Sequence, residues 1–418
     1  MIAVEEHLAR CLALVELLAP REVELLAARG LLLAQDVTSG LDLPAFANSA
    51  MDGYAVRCED VAGAGEQTPV VLPVAADVAA GPSAPLSMAP GTVVRVMTGA
   101  PVPAGTEAIV PVEWTDAGTT TVTIRQAPQP GQFVRHPGED VTRGELLLTA
   151  GTRLTARDIG LLAAVGLDRV PVHPAPRVVV VSTGSELVPP GGELGFGQIY
   201  DSNGYALVAA ATDLGAQARY AGFVGDDEAD VRAALDAACA DADLVITSGG
   251  VSAGAYDPVK AVLSSSASMW FGKVAMQPGM PQGAGRYGPG TAVLTLPGNP
   301  VSSMVSFEVF GRPMLRTLLG EPDVHRPRRT ARAAVAWSSP AGKRQFVRAV
   351  LSEGEGSPGH AEVAGMADVA TVRPVGAQGS HLVADLAEAT CLAVVPEDVT
   401  RVEIGDLVEC LVLERVQR

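Results

Sequence analysis

Lysine is nearly missing from this chain. Only Lys260, Lys273 and Lys343 occur among 418 residues, so arginine carries almost all of the positive charge. Lysine and arginine together number 30 against 47 aspartates and glutamates, a formal net charge of −17. That balance argues against a general nucleic-acid-binding surface but leaves room for a local cationic pocket. Cysteine is also sparse. Cys11, Cys58, Cys239, Cys391 and Cys410 are odd in number, widely scattered and without a CxxC pair. They read as reduced, packed thiols of a cytoplasmic protein, not as a disulfide framework. No run of 18 uncharged apolar residues occurs, so no membrane span is expected. The opening "MIAVEEHLARCLALVELL" is interrupted by Glu5, Glu6 and His7 and reads as an amphipathic helix, not a leader. The six histidines are dispersed and form no ligand constellation. No GxGxxG follows the first strand of the α/β region. "FGKV" lacks both the following Ser or Thr and the earlier glycine of a phosphate-binding P-loop.

What the chain does have is glycine, proline and small aliphatics. Forty-five glycines and 31 prolines imply many turns and short elements, and with 4% aromatics the core must be Ala, Val and Leu. A chain of 418 residues exceeds one hydrophobic core, so several domains are expected. Residues 1–35 read as two helices split near Pro20 and closed after Gly30. Residues 41–140 carry short alternating stretches such as "TVVRVMTG" and "TTTVTIRQ", the pattern of a β-rich domain. That domain is expected as an insertion into a discontinuous first domain, residues 1–40 and 141–170. Residues 171–325 alternate uniformly apolar strands ("RVVVVSTG", "ADLVITSGG", "AVLTLPG") with helices, which predicts a doubly wound α/β domain. Residues 326–418 return to period two and predict a small C-terminal β domain or barrel. The fold class is therefore α/β plus β domains in one multidomain chain.

The chemistry concentrates in four loops of the α/β region: "STGSEL" (182–187), "YDSNG" (200–204), "TSGGVSAGAYD" (247–257) and "LPGNPVSS" (296–303). Three follow strands, and the carboxyl ends of parallel strands form the ligand crevice of such sheets. Asn299 suits an N-cap and Pro300 suits the first helical position, which would turn free backbone N–H groups toward an anion. Gly249, Gly250 and Gly254 would let backbone N–H groups approach a phosphate. Glu186, Asp226 and Asp257 fall in loops expected at the same edge. Carboxylates converging on an anion site imply a bridging cation, and Mg²⁺ is the natural one because it joins carboxylate to phosphate.

Read in order, "NSAMDGYAV" (48–56), "VMTGAPVPAGTEAIVPVE" (96–113), "GED" (138–140), "STGSEL", "SGGVSAGAYD" and "LPGNPVSS" closely resemble the molybdopterin molybdenumtransferase family, whose animal relative is the E domain of gephyrin. The resemblance covers essentially the whole chain. It implies insertion of molybdate into adenylylated molybdopterin with release of AMP, assisted by Mg²⁺. It also implies a four-domain fold and an elongated homodimer whose site is shared between subunits. Matched motif by motif, the expected catalytic carboxylates are Asp52, Asp140, Asp226 and Asp257, with Glu186, Asp226 and Asp257 as the metal set. The substrate positions are Thr98, Arg135, Thr183, Ser202, Gly249, Gly250, Ser252, Lys273, Pro297, Asn299 and Pro300. Arg348 and Ser380 on the last domain would face the oxyanion. The chain departs from the family at "QPGMP", where Gln277 and Met280 stand in place of the two lysines of "KPGKP", and at Ala255, where an aspartate is usual. Arg348, Lys273 and Arg344 are then the remaining cations for the oxyanion. These departures leave open a non-catalytic or scaffold relative, or an enzyme with altered oxyanion preference.

Overall fold

The computed structural model describes residues 1–251, 258–265, 268–352 and 370–413. It divides into two compact units, Met1–Arg21 with His173–Arg418, and Glu22–Val172.

The first unit is organised by a six-stranded sheet in the order Gln217–Val224, Arg177–Thr183, Leu244–Ser248, Thr291–Leu296, Pro281–Tyr287, Trp270–Lys273. The first four strands run parallel, Pro281–Tyr287 runs opposite to them, and the edge strand Trp270–Lys273 reverses once more. Period two explains the continuous apolar runs. Val178, Val180, Leu244, Ile246, Ala292 and Leu294 face one core, while Val179, Val181, Val245 and Val293 face the other. Helices Asn203–Asp213, Pro300–Ser306 and Arg312–Leu318 cover the first face. Glu228–Cys239 and Pro258–Ser264 cover the second. No helix among the described residues is long and apolar enough to cross a membrane.

The N-terminal helix, Val4–Leu12, belongs to this unit and not with residues 22–40 as the sequence layout expects. It buries Val4, His7 and Cys11. The His7 ring lies 4.9 Å from Trp270 and 4.6 Å from Phe310. Periodicity defines a buried face, but two cores compete for it, and the contact surface decides. The second expected helix is absent as well. After Pro20 the chain forms strand Arg21–Glu24 and a 3-10 turn, Leu25–Ala28. Pairing with strand Arg169–His173 outweighs the helical propensity of its leucines and alanines.

The C-terminal strands form a closed barrel. Arg344–Ser352 pairs with both Thr371–Pro374 and Cys391–Val395, and Arg328–Ala333 and Leu407–Val412 complete the ring. Its core is narrow because alanine and cysteine fill it: Ala331, Ala333, Ala349, Cys391, Ala393 and Cys410. Met276–Gln277, from the α/β segment, adds to the barrel wall parallel to Arg344–Gln345.

The second unit contains a five-stranded sheet, in the order Ala108–Pro111, Gly53–Val56, Val93–Val96, Val70–Val78, Thr121–Ile124. It also contains a smaller core of Leu25, Leu33, Leu154, Leu162 and Val172 around helix Ala156–Ala164. The Thr155 backbone N–H and hydroxyl both reach the Asp158 carboxylate at 2.7 Å, which fixes the start of that helix.

Candidate functional site

In the α/β sheet the chain leaves strand Arg177–Thr183 for the strand on one side and later returns to the strand on the other. The loops after Thr183 and Ser248 therefore part and open a crevice between them. A cavity of about 310 Å³ lies there, lined by Thr183, Gly184, Glu186, Asp226, Gly249, Gly250, Pro297 and Asn299, with Val251, Pro258, Pro281 and Gly298 at its margins. The structure thus brings seven of the expected residues onto one cavity. Ser252 and Asp257, with Gly254, lie outside the described residues.

Each wall has an identifiable cause. Gly249 has φ +94°, and a Cβ there would stand 2.6 Å from the Thr183 carbonyl oxygen, so only glycine lets the two loops approach. Its N–H does not face an anion as expected, because it donates to the Leu296 carbonyl at 3.0 Å. The acidic wall is held by Ser185, whose hydroxyl donates to Asp226 at 2.6 Å and accepts the Asp226 N–H at 3.2 Å. Ser185 was not singled out from sequence, although it sits inside "STGSEL". Glu186 folds over the backbone of Gly184, where a Cβ would lie 2.5 Å from its carboxylate.

The helix after "LPGN" differs from expectation. Asn299 makes no side-chain cap bond, and the Val301 N–H donates to the Ser380 carbonyl at 3.1 Å. A loop of the C-terminal domain thus occupies the helix start in place of a free anion site, and it brings Ser380 beside Pro300.

The oxyanion residues also need correction. Arg348 is 1% exposed. Its guanidinium donates to the carbonyls of Leu382 at 2.6 Å and Ala377 at 2.5 Å, and its backbone N–H donates to the Gln378 side chain. Burial pulls its pKa down from the ordinary arginine value. This geometry makes Arg348 the support of the 376–382 loop that carries Ser380, not a ligand in direct reach of an anion. Arg344 pairs with Glu5 and, at 3.1 Å, with Glu397, so its charge is met within the protein. Lys273 is exposed at the end of an edge strand. The "QPGMP" turn is anchored by Gln282, which is 1% exposed. Its amide donates to the Gly279 carbonyl at 2.7 Å and to the Ser306 hydroxyl at 2.6 Å. Ser202 is exposed at the start of helix Asn203–Asp213.

In the other unit, Arg135 and Asp140 line a cavity of about 470 Å³ with Leu43, Pro44, Asn48 and Glu139. Asp52 and Thr98 do not line it. They form a pair in which the Thr98 backbone N–H and hydroxyl donate to one Asp52 oxygen at 2.7 and 2.8 Å. Those two bonds, the backbone one first, hold the Asp52 carboxyl below the usual aspartate range.

Comparison with known proteins agrees with this arrangement. The chain matches the MoeA N-terminal region (domain I and II) over residues 2–166, the probable molybdopterin binding domain over 179–317 and the MoeA C-terminal region (domain IV) over 330–413. It is 49% identical to molybdopterin molybdenumtransferase 2 of Mycobacterium tuberculosis, over 97% of this chain and 98% of that one. To molybdopterin molybdenumtransferase 1 of the same organism it is 38% identical, over 98% of each. The structure of a molybdopterin biosynthesis MoeA protein from Pyrococcus horikosii superposes with TM-score 0.74 at 31% identity, covering 99% of both chains. From its three matched regions and these full-length relatives, the chain belongs to the molybdopterin molybdenumtransferase (MoeA) family.

Proposed function

We propose that this protein completes molybdenum cofactor synthesis by inserting molybdate into adenylylated molybdopterin and releasing AMP. The observation that carries this reading is the convergence of Thr183, Glu186, Asp226, the 249–250 glycines, Pro297 and Asn299 on one cavity at the sheet's switch point, in a chain of this family.

Little covalent chemistry is asked of the side chains. Releasing AMP requires water to attack one phosphorus of the pyrophosphate, and catalysis of such steps is mostly positioning and charge stabilisation. Glycine and proline walls let a phosphate approach the backbone closely. Ser185 fixes Asp226 in one orientation, ready to accept a hydrogen bond from water. Ser380 sits on a loop that Arg348 holds, and its hydroxyl is of the type that can donate to an oxyanion oxygen.

The all-oxygen donor set suits Mg²⁺. Among the described residues no group of three or more His, Cys, Asp or Glu could hold a metal by itself. Two carboxylates on a cavity wall fit an ion that takes one or two protein carboxylates and completes its shell with water and phosphate. Glu186 and Asp226 are the residues that would hold it, with Asp257, which lies outside the described residues, as the third expected carboxylate. The ion would supply neutralisation of pyrophosphate charge. We also read the functional form as a homodimer with sites shared between subunits.

The test is incubation with adenylylated molybdopterin, Mg²⁺ and molybdate, measuring AMP and active cofactor. Absence of both products from folded protein would overturn the assignment.

A further inference from the structure

The loop 200–204 does not line the cavity, yet it is built with unusual care. Asp201 is 2% exposed. One of its oxygens accepts the Gly204 N–H at 3.1 Å, and the other accepts the Tyr220 hydroxyl at 2.5 Å. Burial first, and then the Asp201 carboxylate, push the Tyr220 phenol well above its ordinary pKa, so Tyr220 stays a donor. Gly204 is enclosed: a Cβ there would stand 2.4 Å from the Tyr220 ring and 2.7 Å from Asp201. These contacts fix the start of helix Asn203–Asp213 and with it the side chain of its first residue, Asn203. Its amide nitrogen donates to the Ser248 hydroxyl at 2.7 Å and to the Gly298 carbonyl at 2.7 Å.

Those two acceptors belong to different walls. Ser248 ends the strand that enters the glycine turn at 249–250, and Gly298 lies in the "LPGN" turn. The backbone already ties the walls once, through the Gly249 N–H and the Leu296 carbonyl. Gly298 and Gly249 lie beside each other, since a Cβ on Gly298 would make ordinary van der Waals contact, 3.6 Å, with the Gly249 Cα. Asn203 adds a second tie from outside the sheet, using both hydrogens of one NH₂ group.

We infer that Asn203 is a positioning residue that sets the separation of the two phosphate-facing loops. It does not line the cavity. The inference rests on the reading that this cavity takes the pterin nucleotide, although part of its test does not. The Asn203→Asp substitution keeps the shape and removes both donated hydrogens at neutral pH.

Hydrogen exchange without substrate is the first measurement. Asn203→Asp should exchange at least fivefold faster than wild type at 249–251 and 298–299, with strands 177–183 and 291–296 unchanged. Steady-state kinetics with adenylylated molybdopterin is the second. KM should rise at least tenfold at unchanged melting temperature, with kcat changed less than KM. A residue needed only for folding would lower the melting temperature and the active fraction and leave KM of the folded fraction alone. Wild-type exchange in both loops, or a wild-type KM, overturns the inference. If Asn203→Asp does not fold, Ser248→Ala removes one acceptor with Asn203 in place. It should speed exchange at 249–251, and an unchanged rate there overturns the inference equally. Failure of the wild-type protein to turn over this substrate would instead sink the functional reading and leave the exchange result standing.

Discussion

The two units treat their acidic residues in opposite ways. In the α/β unit, Glu186 and Asp226 reach one cavity from loops forty residues apart, because parallel strands deliver their carboxyl ends to a single edge. In the β-rich unit, Asp52 is satisfied by its neighbour Thr98, while Asp140 lines a separate cavity with Arg135. Asp52 precedes a strand of the five-stranded sheet, while Arg135 belongs to a separate two-stranded pair, so no single sheet edge gathers them. Convergence is a property of topology, whereas the state of each carboxylate is a property of its nearest donors.

The largest effect tests whether both sets serve one reaction. Asp226→Asn should reduce AMP release at least a hundredfold with the melting temperature unchanged, because the residue is exposed. Asp52→Ala should reduce AMP release comparably, with a small loss of stability from the two Thr98 bonds it removes. Mixing the two inactive chains should recover partial activity, since one hybrid site of a shared-site dimer is then intact. Verified heterodimers without recovery would confine each site to one chain.

Next in size is the "QPGMP" turn, which the proposed function places beside the oxyanion. Gln277 and Met280 bring no charge, Arg344 is paired with Glu5 and Glu397, and Arg348 is buried under its own loop. An ammonium about 4 Å from an oxyanion contributes on the order of 1–4 kcal/mol. The double variant Gln277→Lys, Met280→Lys should therefore lower the apparent molybdate constant at least tenfold and make it more salt-sensitive, at unchanged pterin affinity. A titration showing no tighter binding would place these two side chains away from the oxyanion.

A glycine pair sharpens the comparison further. Gly249 and Gly131 both have positive φ, +94° and +78°. A Cβ at Gly249 strikes the Thr183 carbonyl oxygen, while one at Gly131 meets nothing within 4 Å. Gly249→Ala should cost about 2–4 kcal/mol of stability, strain plus clash, and Gly131→Ala only about 1 kcal/mol. Equal losses by denaturant titration would refute the close approach of the two loops.

The smallest effect is electrostatic. Thr98→Val removes the hydroxyl donor to Asp52 and should raise the aspartate's pKa back toward the ordinary aspartate value, read by carbon NMR. A carboxylate with a lowered folded pKa stabilises the protein above its unfolded value, and that contribution disappears as pH falls through the folded one. The wild-type protein should thus keep more of its stability than the variant at pH values above the folded pKa, with the difference vanishing in stronger acid.

Much of this was legible in the sequence. Valine runs such as 178–181 announce a sheet buried on both faces, and the loops that follow them point to its edge. Hydrogen bonds within the fold were not legible. Nothing in "FVRAV" says that Arg348 will turn to two carbonyls of its own domain, and nothing in "LPGNP" says that Ser380 will take the Val301 N–H. Partners distant in sequence decide both. The N-terminal helix shows the same limit, since its apolar stripe is evident but not the surface that receives it. Asn203 sits inside a motif marked as a loop, and its reach to Ser248 and Gly298 depends on how three strands line up.

The short strand Met276–Gln277 has a consequence for the order in which the protein becomes competent. Its pairing partner, Arg344–Gln345, is made almost seventy residues later, and the barrel closes only when Leu407–Val412 joins. During synthesis the sheet, its glycine loops and Gln282 emerge first and can fold as a unit. The turn between Gln277 and Met280 then waits for the last strands to give it an edge. A chain cut short in the barrel would present a formed phosphate crevice beside an unsupported oxyanion turn, able to hold the organic substrate without completing the metal's insertion.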